Sequence, residues 1–206
     1  MSIEEIYVKE FYNSFAHEFD KSCSGAWECV ENFLDKINTN SIISEIGCGS
    51  GANMECKPDC EFYGCDFCNE MVNICLNKGL NVIKGDILNI PYKDNFFDYT
   101  ICTAVIHHLS TYDKQKKAVS ELLRITKKGG EILILVMSLK HPPNSNIKST
   151  EQEQYINWKD VNENILGKRY YHVFTKNELK KLVPDNAIII DQFYKLGNYG
   201  IILQKR

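Results

Sequence analysis

Apolar positions recur at helical spacing near the start of the chain and in short β-branched runs thereafter. Ile6, Phe11, Phe15 and Phe19 trace one helical face; Trp27, Val30, Phe33, Leu34 and Ile37, after Gly25, trace a second. Strand-like runs then alternate with helices: Ile42 to Ile46, Phe62 to Asp66, Val82 to Lys84, Tyr99 to Thr103 and Ile132 to Met137. Between them the pattern predicts a helix from Asn69 to Asn77 stopped by Gly79, and a longer one from Tyr112 to Thr126 stopped by Gly129-Gly130. Such a βαβ series predicts a parallel sheet with helices on both faces.

The end of the chain breaks that alternation. Thr175 and Glu178 form a capping box for a short helix through Leu182. Ala187 to Tyr194 and Tyr199 to Leu203 are apolar strands separated only by Lys195-Leu196-Gly197-Asn198. A parallel crossover needs about a dozen residues, so the two strands form an antiparallel hairpin and one strand of the sheet runs backwards. The expected fold is α/β: a seven-stranded, mostly parallel, Rossmann-like sheet with an antiparallel C-terminal hairpin. It is expected as a single domain over residues 1–206, with N-terminal helices over 1–40, a core over 41–139, a substrate-side insertion over 140–174, and a last helix and hairpin over 175–206. Within the insertion, Lys140 to Asn164 is polar, carries Pro142-Pro143 and lacks periodicity, so it is expected to be irregular.

A chain of 206 residues can bury roughly 70% of its unfolded surface, enough for one core. No apolar run reaches about eighteen residues, and the start already carries Glu4, Glu5 and Lys9. No membrane span or leader is expected, and the expected location is cytoplasmic. Nine cysteines, an odd number scattered through the elements, read as reduced thiols. The net charge of −3 gives no general basic surface, so any nucleic-acid contact comes from a local patch or a partner.

Ser44-Glu45-Ile46-Gly47-Cys48-Gly49-Ser50-Gly51 is an apolar run breaking into alternate glycines, as a strand does where backbone approaches a nucleotide-like ligand. Gly47, Gly49 and Ala52 also satisfy a dinucleotide fingerprint. That fingerprint needs a long helix facing a pyrophosphate, whereas Pro58 follows within seven residues of Gly51 and biases Lys57 away from helix. S-adenosylmethionine, which has no phosphate, fits better. Asp66, ending the second strand, would accept the ribose hydroxyls; Asp86 would bond the adenine amino group while Ile87 packs on the ring. Glu45, polar in an apolar strand, would meet the glycine loop and the ligand's ammonium group. Phe67, Thr103 and Ala104 complete the expected cofactor set, and Gly51 belongs to the same turn. The spacing of Cys56, Cys60, Cys65 and Cys68 superficially suggests zinc, but Cys65 would have to leave its strand, so no metal is expected.

From Ser41 to Arg206 the chain resembles the class I S-adenosylmethionine-dependent methyltransferases, through the Glu45-to-Gly51 motif, Asp66, Asp86 and the reversed last strand. More narrowly it resembles the eukaryotic tRNA wobble-uridine carboxymethyl methyltransferases. The carrying segments are Pro58-Asp59-Cys60 with Gly64-Cys65-Asp66, the run Ala104 to Thr111 around His107-His108, and Arg169-Tyr170-Tyr171-His172-Val173-Phe174. The resemblance implies methylation of the carboxylate of 5-carboxymethyluridine at the wobble position of a tRNA anticodon loop. It also implies a small zinc-binding activator protein as heterodimer partner. Where that family usually shows Thr-Arg before its tryptophan, this chain has Ser22-Cys23 before Trp27.

A carboxylate nucleophile is ionised at pH 7, so it needs orientation rather than a strong base. Arg169, a planar donor, is the expected orienting cation, assisted by His107 and Tyr170. Tyr170, Tyr171, Phe174 and Trp158 could stack on a base or simply pack, and Lys168, Lys176, Lys180 and Lys181 could meet phosphates. Ile132 to Met137 is either a buried central strand or a neighbourhood covered by the partner. A small-molecule methyltransferase and a catalytically silent cofactor-binding subunit are the alternative readings.

Overall fold

The computed structural model describes residues 1–23, 25–140, 151–159 and 163–206. A π-helical turn, Glu5–Lys9, runs into helix α1 (Glu10–Ser14), followed by α2 (Ala16–Ser22) and α3 (Glu28–Leu34). The alternating part comprises β1 (Ile42–Ile46), β2 (Glu61–Asp66), α4 (Asn69–Asn77), β3 (Val82–Lys84), β4 (Phe97–Thr103), α5 (Tyr112–Ile125) and β5 (Thr126–Met137). Then come β6 (Glu153–Lys159), β7 (Ile165–His172), α6 (Glu178–Lys181), β8 (Ala187–Lys195) and β9 (Asn198–Lys205). Seven strands form one sheet in the order β3-β2-β1-β4-β5-β9-β8, while β6 and β7 pair separately. Strands β1 to β5 pair in parallel and β9 runs antiparallel to both β5 and β8, the sheet expected from the sequence.

Strand alternation divides the core between the sheet's two faces. Ile132, Ile134 and Val136 of β5 pack with Ala118, Val119 and Leu122 of α5, whereas Leu133 and Leu135 pack with Val30, Phe33 and Leu34 of α3. Since β1 pairs with β2 on one side and β4 on the other, the chain leaves the sheet in opposite directions there, opening a crevice at the carboxyl edge.

Three local expectations are corrected. Helix α5 ends at Ile125, one residue short of the expected end, but Gly129-Gly130 are not what stops it: Thr126 is already extended (ψ 141°) and its hydroxyl donates to the Leu122 carbonyl. Gly129 and Gly130 lie within β5, where pairing with β4 skips from Phe97–Thr126 to Tyr99–Glu131; a Cβ on Gly130 would stand 2.5 Å from the Asp98 carbonyl. The segment expected to be irregular contains β6, whose Gln154, Ile156 and Trp158 alternate with exposed Glu153, Tyr155 and Asn157 and pair with β7. Pro142-Pro143 falls within 141–150, which with 160–162 lies outside the described residues. Ile132 to Met137 runs between β4 and β9, so it is a buried interior strand and not an edge for a partner. The hairpin loop shrinks to Leu196-Gly197, both at positive φ (46° and 85°), as a twisted two-residue turn requires.

Arg124 locks the loop after β3 onto α5. Its guanidinium donates to the carbonyls of Ile90 and Tyr92 and to the carboxylates of Asp94 and Glu121. Burial raises the Glu121 carboxyl, but bonds from Arg124, Lys117 and the Ile90 amide outweigh it and hold it at about 2. Arg124→Ala should cost about 1.5–3 kcal/mol in denaturant unfolding, the scale of hydrogen bonds to charge. Because Glu121 sits below its ordinary value of 4.5, its contribution is present above that pH and fades as pH falls towards about 2. The stability gap between wild type and Glu121→Gln should close over that interval.

Candidate active site

A cavity of about 900 Å³ opens at the carboxyl ends of β1, β2 and β4. Its floor is the glycine turn. The amides of Gly47 and Cys48 donate to the Cys65 carbonyl of β2, and Gly49 donates to Asp66 Oδ2 at 2.9 Å. Gly47 (φ 74°) admits no side chain, since a Cβ would stand 2.2 Å from Val105 Cγ2. A Cβ on Gly49 would meet nothing nearer than Phe19 at 3.6 Å, so that backbone is open to a ligand. Gly51 lies outside the cavity lining; a Cβ there would strike Leu80 at 2.3 Å, so its requirement is packing rather than ligand contact.

Two buried carboxylates face this end. Glu45 Oε1 accepts from Asn53 Nδ2 at 2.6 Å, while Oε2 is buried without a partner. Burial pushes its carboxyl up to about 8, opposed by the Asn53 bond and reinforced by Asp66. Asp66 accepts from Gly49 and Cys68 amides, one on each oxygen; burial still raises it. Phe67, Asp86, Ile87, Thr103 and Ala104 also line the cavity. Asp86 Oδ1 caps the Leu88 amide at 2.8 Å, and Ala104 takes φ 60° where β4 turns away. An orphaned carboxylate oxygen for an ammonium group, a second carboxylate for hydroxyls and an open glycine backbone fit S-adenosylmethionine.

The other end of the cavity is cationic and aromatic. His107, His108, Arg169 and Tyr171 line it together with Tyr12 from α1. His107 Nδ1 accepts the Met137 amide at 3.0 Å, so its proton sits on Nε2. Burial, then the charges of His108 and Arg169, hold His107 well below its usual range. His108 Nδ1 donates to the Tyr170 carbonyl at 2.7 Å, and burial lowers this imidazole to about 4. Arg169 meets the faces of Phe11 and Tyr171 at 5.5 and 5.4 Å and donates to the Tyr12 hydroxyl at 3.1 Å. Tyr170 is not brought to this site: it alternates with Arg169 and Tyr171 on β7, is 1% exposed, and its hydroxyl bonds Glu153 on the far face.

Sequence reasoning missed Tyr12 and Asn53 as site residues, and it offered Tyr171 only for stacking while giving the orienting role to its neighbour Tyr170. A hydroxyl inside the apolar stripe of the first helix was the only signal for Tyr12. Phe174 is fully buried in the core and Trp158 packs on Phe11 and Phe15, while Lys168, Lys176, Lys180 and Lys181 are exposed. No helix among the described residues is long and apolar enough to cross a membrane.

Asp66 faces Glu45 from β2, and the thiols of Cys48, Cys56 and Cys102 feel the Glu45 charge. A carboxyl raised from 4.5 to about 8 favours the folded state at low pH and loses that contribution as pH rises between those values. Glu45→Gln keeps an acceptor for Asn53 but removes the charge. Without cofactor it should melt above wild type at pH about 8 and close to wild type near 4.5. Its affinity for S-adenosylmethionine should fall, and thermal melts across pH with and without cofactor read both effects.

The methyltransferase-domain family matches residues 44–134, the segment that carries the glycine turn and the buried carboxylates Glu45 and Asp66. The chain is 38% identical over 69% of its length to the tRNA (carboxymethyluridine(34)-5-O)-methyltransferase of Arabidopsis thaliana, of which it spans 35%. It is 33% identical to the enzyme of that name from Schizosaccharomyces pombe, covering 98% of this chain and 97% of that one. A chain of the solved complex that contains the Haloferax volcanii Trm112 methyltransferase activator aligns at a TM-score of 0.71. That match covers 96% of this chain and 97% of the other at 15% identity, a likeness of fold. With a relative matched from end to end at this identity, the chain belongs to the tRNA (carboxymethyluridine(34)-5-O)-methyltransferase family of class I methyltransferases.

Proposed function

We propose that this protein methylates the carboxylate of 5-carboxymethyluridine at the wobble position of tRNA, and does so with a small zinc-binding activator protein in a cytoplasmic heterodimer. The observation that carries the chemistry is the donor-only character of the cavity's acceptor end. His107 spends its acceptor nitrogen on the Met137 amide, and His108 Nε2 lies against the Tyr12 hydroxyl. Neither imidazole is left to take a proton. Such a site suits a nucleophile that arrives ionised, and Arg169 with the Nε2–H of His107 supplies the donors to hold it.

S-adenosylmethionine, when bound, supplies a methyl group on a positively charged sulfur. Glu45 would hold its ammonium group, Asp66 its ribose and Asp86 with Ile87 its adenine. The chain's own contribution is alignment and exclusion of water, the requirements of an in-line displacement. The wobble substrate is supported by the two relatives of that name, and an activator partner by the complex whose methyltransferase-like chain shares this fold.

The test is mass spectrometry of tRNA nucleosides after incubation with cofactor and purified protein, with and without the activator. Methyl ester at the wobble uridine, raised by the activator, is the expected result. Unmodified tRNA under both conditions would leave the small-molecule or catalytically silent reading instead. Arg169→Ala should keep cofactor affinity and lose about 10²-fold or more in turnover, the scale of a lost catalytic donor. Arg169→Lys should recover only part, because an ammonium lacks the planar fork.

A further inference from the structure

Arg169 has aromatic faces on several sides, and among the described residues no carboxylate pairs with it. Its Nε is buried without a partner. Ring faces attract a guanidinium but do not fix its rotation, since the attraction falls on the whole face. The one directional contact given to the group is Nη1 to the Tyr12 hydroxyl at 3.1 Å.

That hydroxyl is itself oriented. A carbonyl only accepts, so the 2.7 Å contact between His108 Nδ1 and the Tyr170 carbonyl places the imidazole proton on Nδ1. A neutral imidazole then has its lone pair on Nε2, which lies 3.3 Å from the Tyr12 oxygen. The phenol proton points to His108, and the phenol oxygen accepts from Arg169 and from the Tyr171 hydroxyl. A guanidinium has no acceptor and a carbonyl no donor, so the chain Arg169 to Tyr12 to His108 to the Tyr170 carbonyl runs in one sense only. It ties α1, the turn after β4 and β7 into one unit at the acceptor end.

We propose that Tyr12 is a positioning residue for Arg169, its hydroxyl held by the buried His108 so that the guanidinium keeps one orientation towards the methyl acceptor. This rests on the reading that Arg169 holds the acceptor's carboxylate. In this role Tyr12 acts through Arg169, and three consequences separate it from simple packing. Tyr12→Phe keeps the ring against Phe11 and Phe19 and removes only the oxygen.

Calorimetry on Tyr12→Phe should show unchanged S-adenosylmethionine affinity, with single-turnover methylation of tRNA about tenfold slower or more, the scale of one hydrogen bond to a charged group. In an Arg169→Ala background the same substitution should cost nothing further. With 15N-arginine labelling, the Nε–H of Arg169 should give a sharp, slowly exchanging signal in wild type and a broadened, exchanging one in Tyr12→Phe. Equal rate losses in both backgrounds, or an Arg169 signal untouched by Tyr12→Phe, would overturn the proposal. If wild-type protein methylates no tRNA at all, the functional reading fails, and the arginine signal still decides whether Tyr12 orients Arg169.

Discussion

The reach of the Asp66 carboxylate across the carboxyl edge of the sheet holds the rest of the site in place. It leaves β2 and takes the Gly49 amide with one oxygen and the Cys68 amide with the other. A carboxylate that is 8% exposed is costly unless bonded, and a glycine turn with alternate positive φ has little to hold its shape by itself. Each supplies what the other lacks. The Cys65 carbonyl adds two more bonds to the same turn, so β2 carries the floor of a cavity that β1 begins.

From that floor the cavity is polarised. Glu45 and Asp66 stand at one end and Arg169 at the other, with the neutral pair His107 and His108 on the Arg169 side. Burial favours the uncharged form of Glu45 and of both histidines. A cationic ligand at the carboxylate end and an anionic one at the arginine end would each meet a charge that the fold itself suppresses or leaves unpaired. Buried carboxylates and an unpaired guanidinium cost stability, a pattern usual where a fold is built to bind rather than only to pack.

The cover is built from the two parts that lie outside the seven-stranded sheet. Tyr7, Phe11 and Phe15 of the N-terminal helices pack on Tyr155 and Trp158 of the β6–β7 hairpin, and Gly167 lets the Phe11 ring approach at 2.9 Å from where a Cβ would stand. Glu4 fastens the same helices to the turn after β4 by accepting from Ser110 and Lys114. Aromatics that could have been base-stacking platforms are thus largely employed in closing the site, which leaves Tyr171 as the ring facing the acceptor end.

Local chemistry determined much of this fold. Four of the five parallel strands follow from runs containing β-branched residues and β2 from an aromatic pair ending at Gly64-Cys65-Asp66, α4 ends where Gly79 takes φ 79°, and a connection of a few residues between the last strands permits only a hairpin. The family-bearing motifs were legible for the same reason, since glycines and carboxylates at strand ends are contiguous in the chain. What tertiary structure alone decided involves distant partners. Gly129-Gly130 read as a helix stop until pairing with β4 drew them into β5, and β6 took its strand from pairing with β7 rather than from its own polar sequence. Tyr170 and Tyr171 are the same residue side by side; only the register of β7 decides which one enters the cavity. Tyr12 meets His108 and Arg169 across separations of 96 and 157 residues, contacts that no local pattern encodes because only the closed fold brings them within hydrogen-bond range.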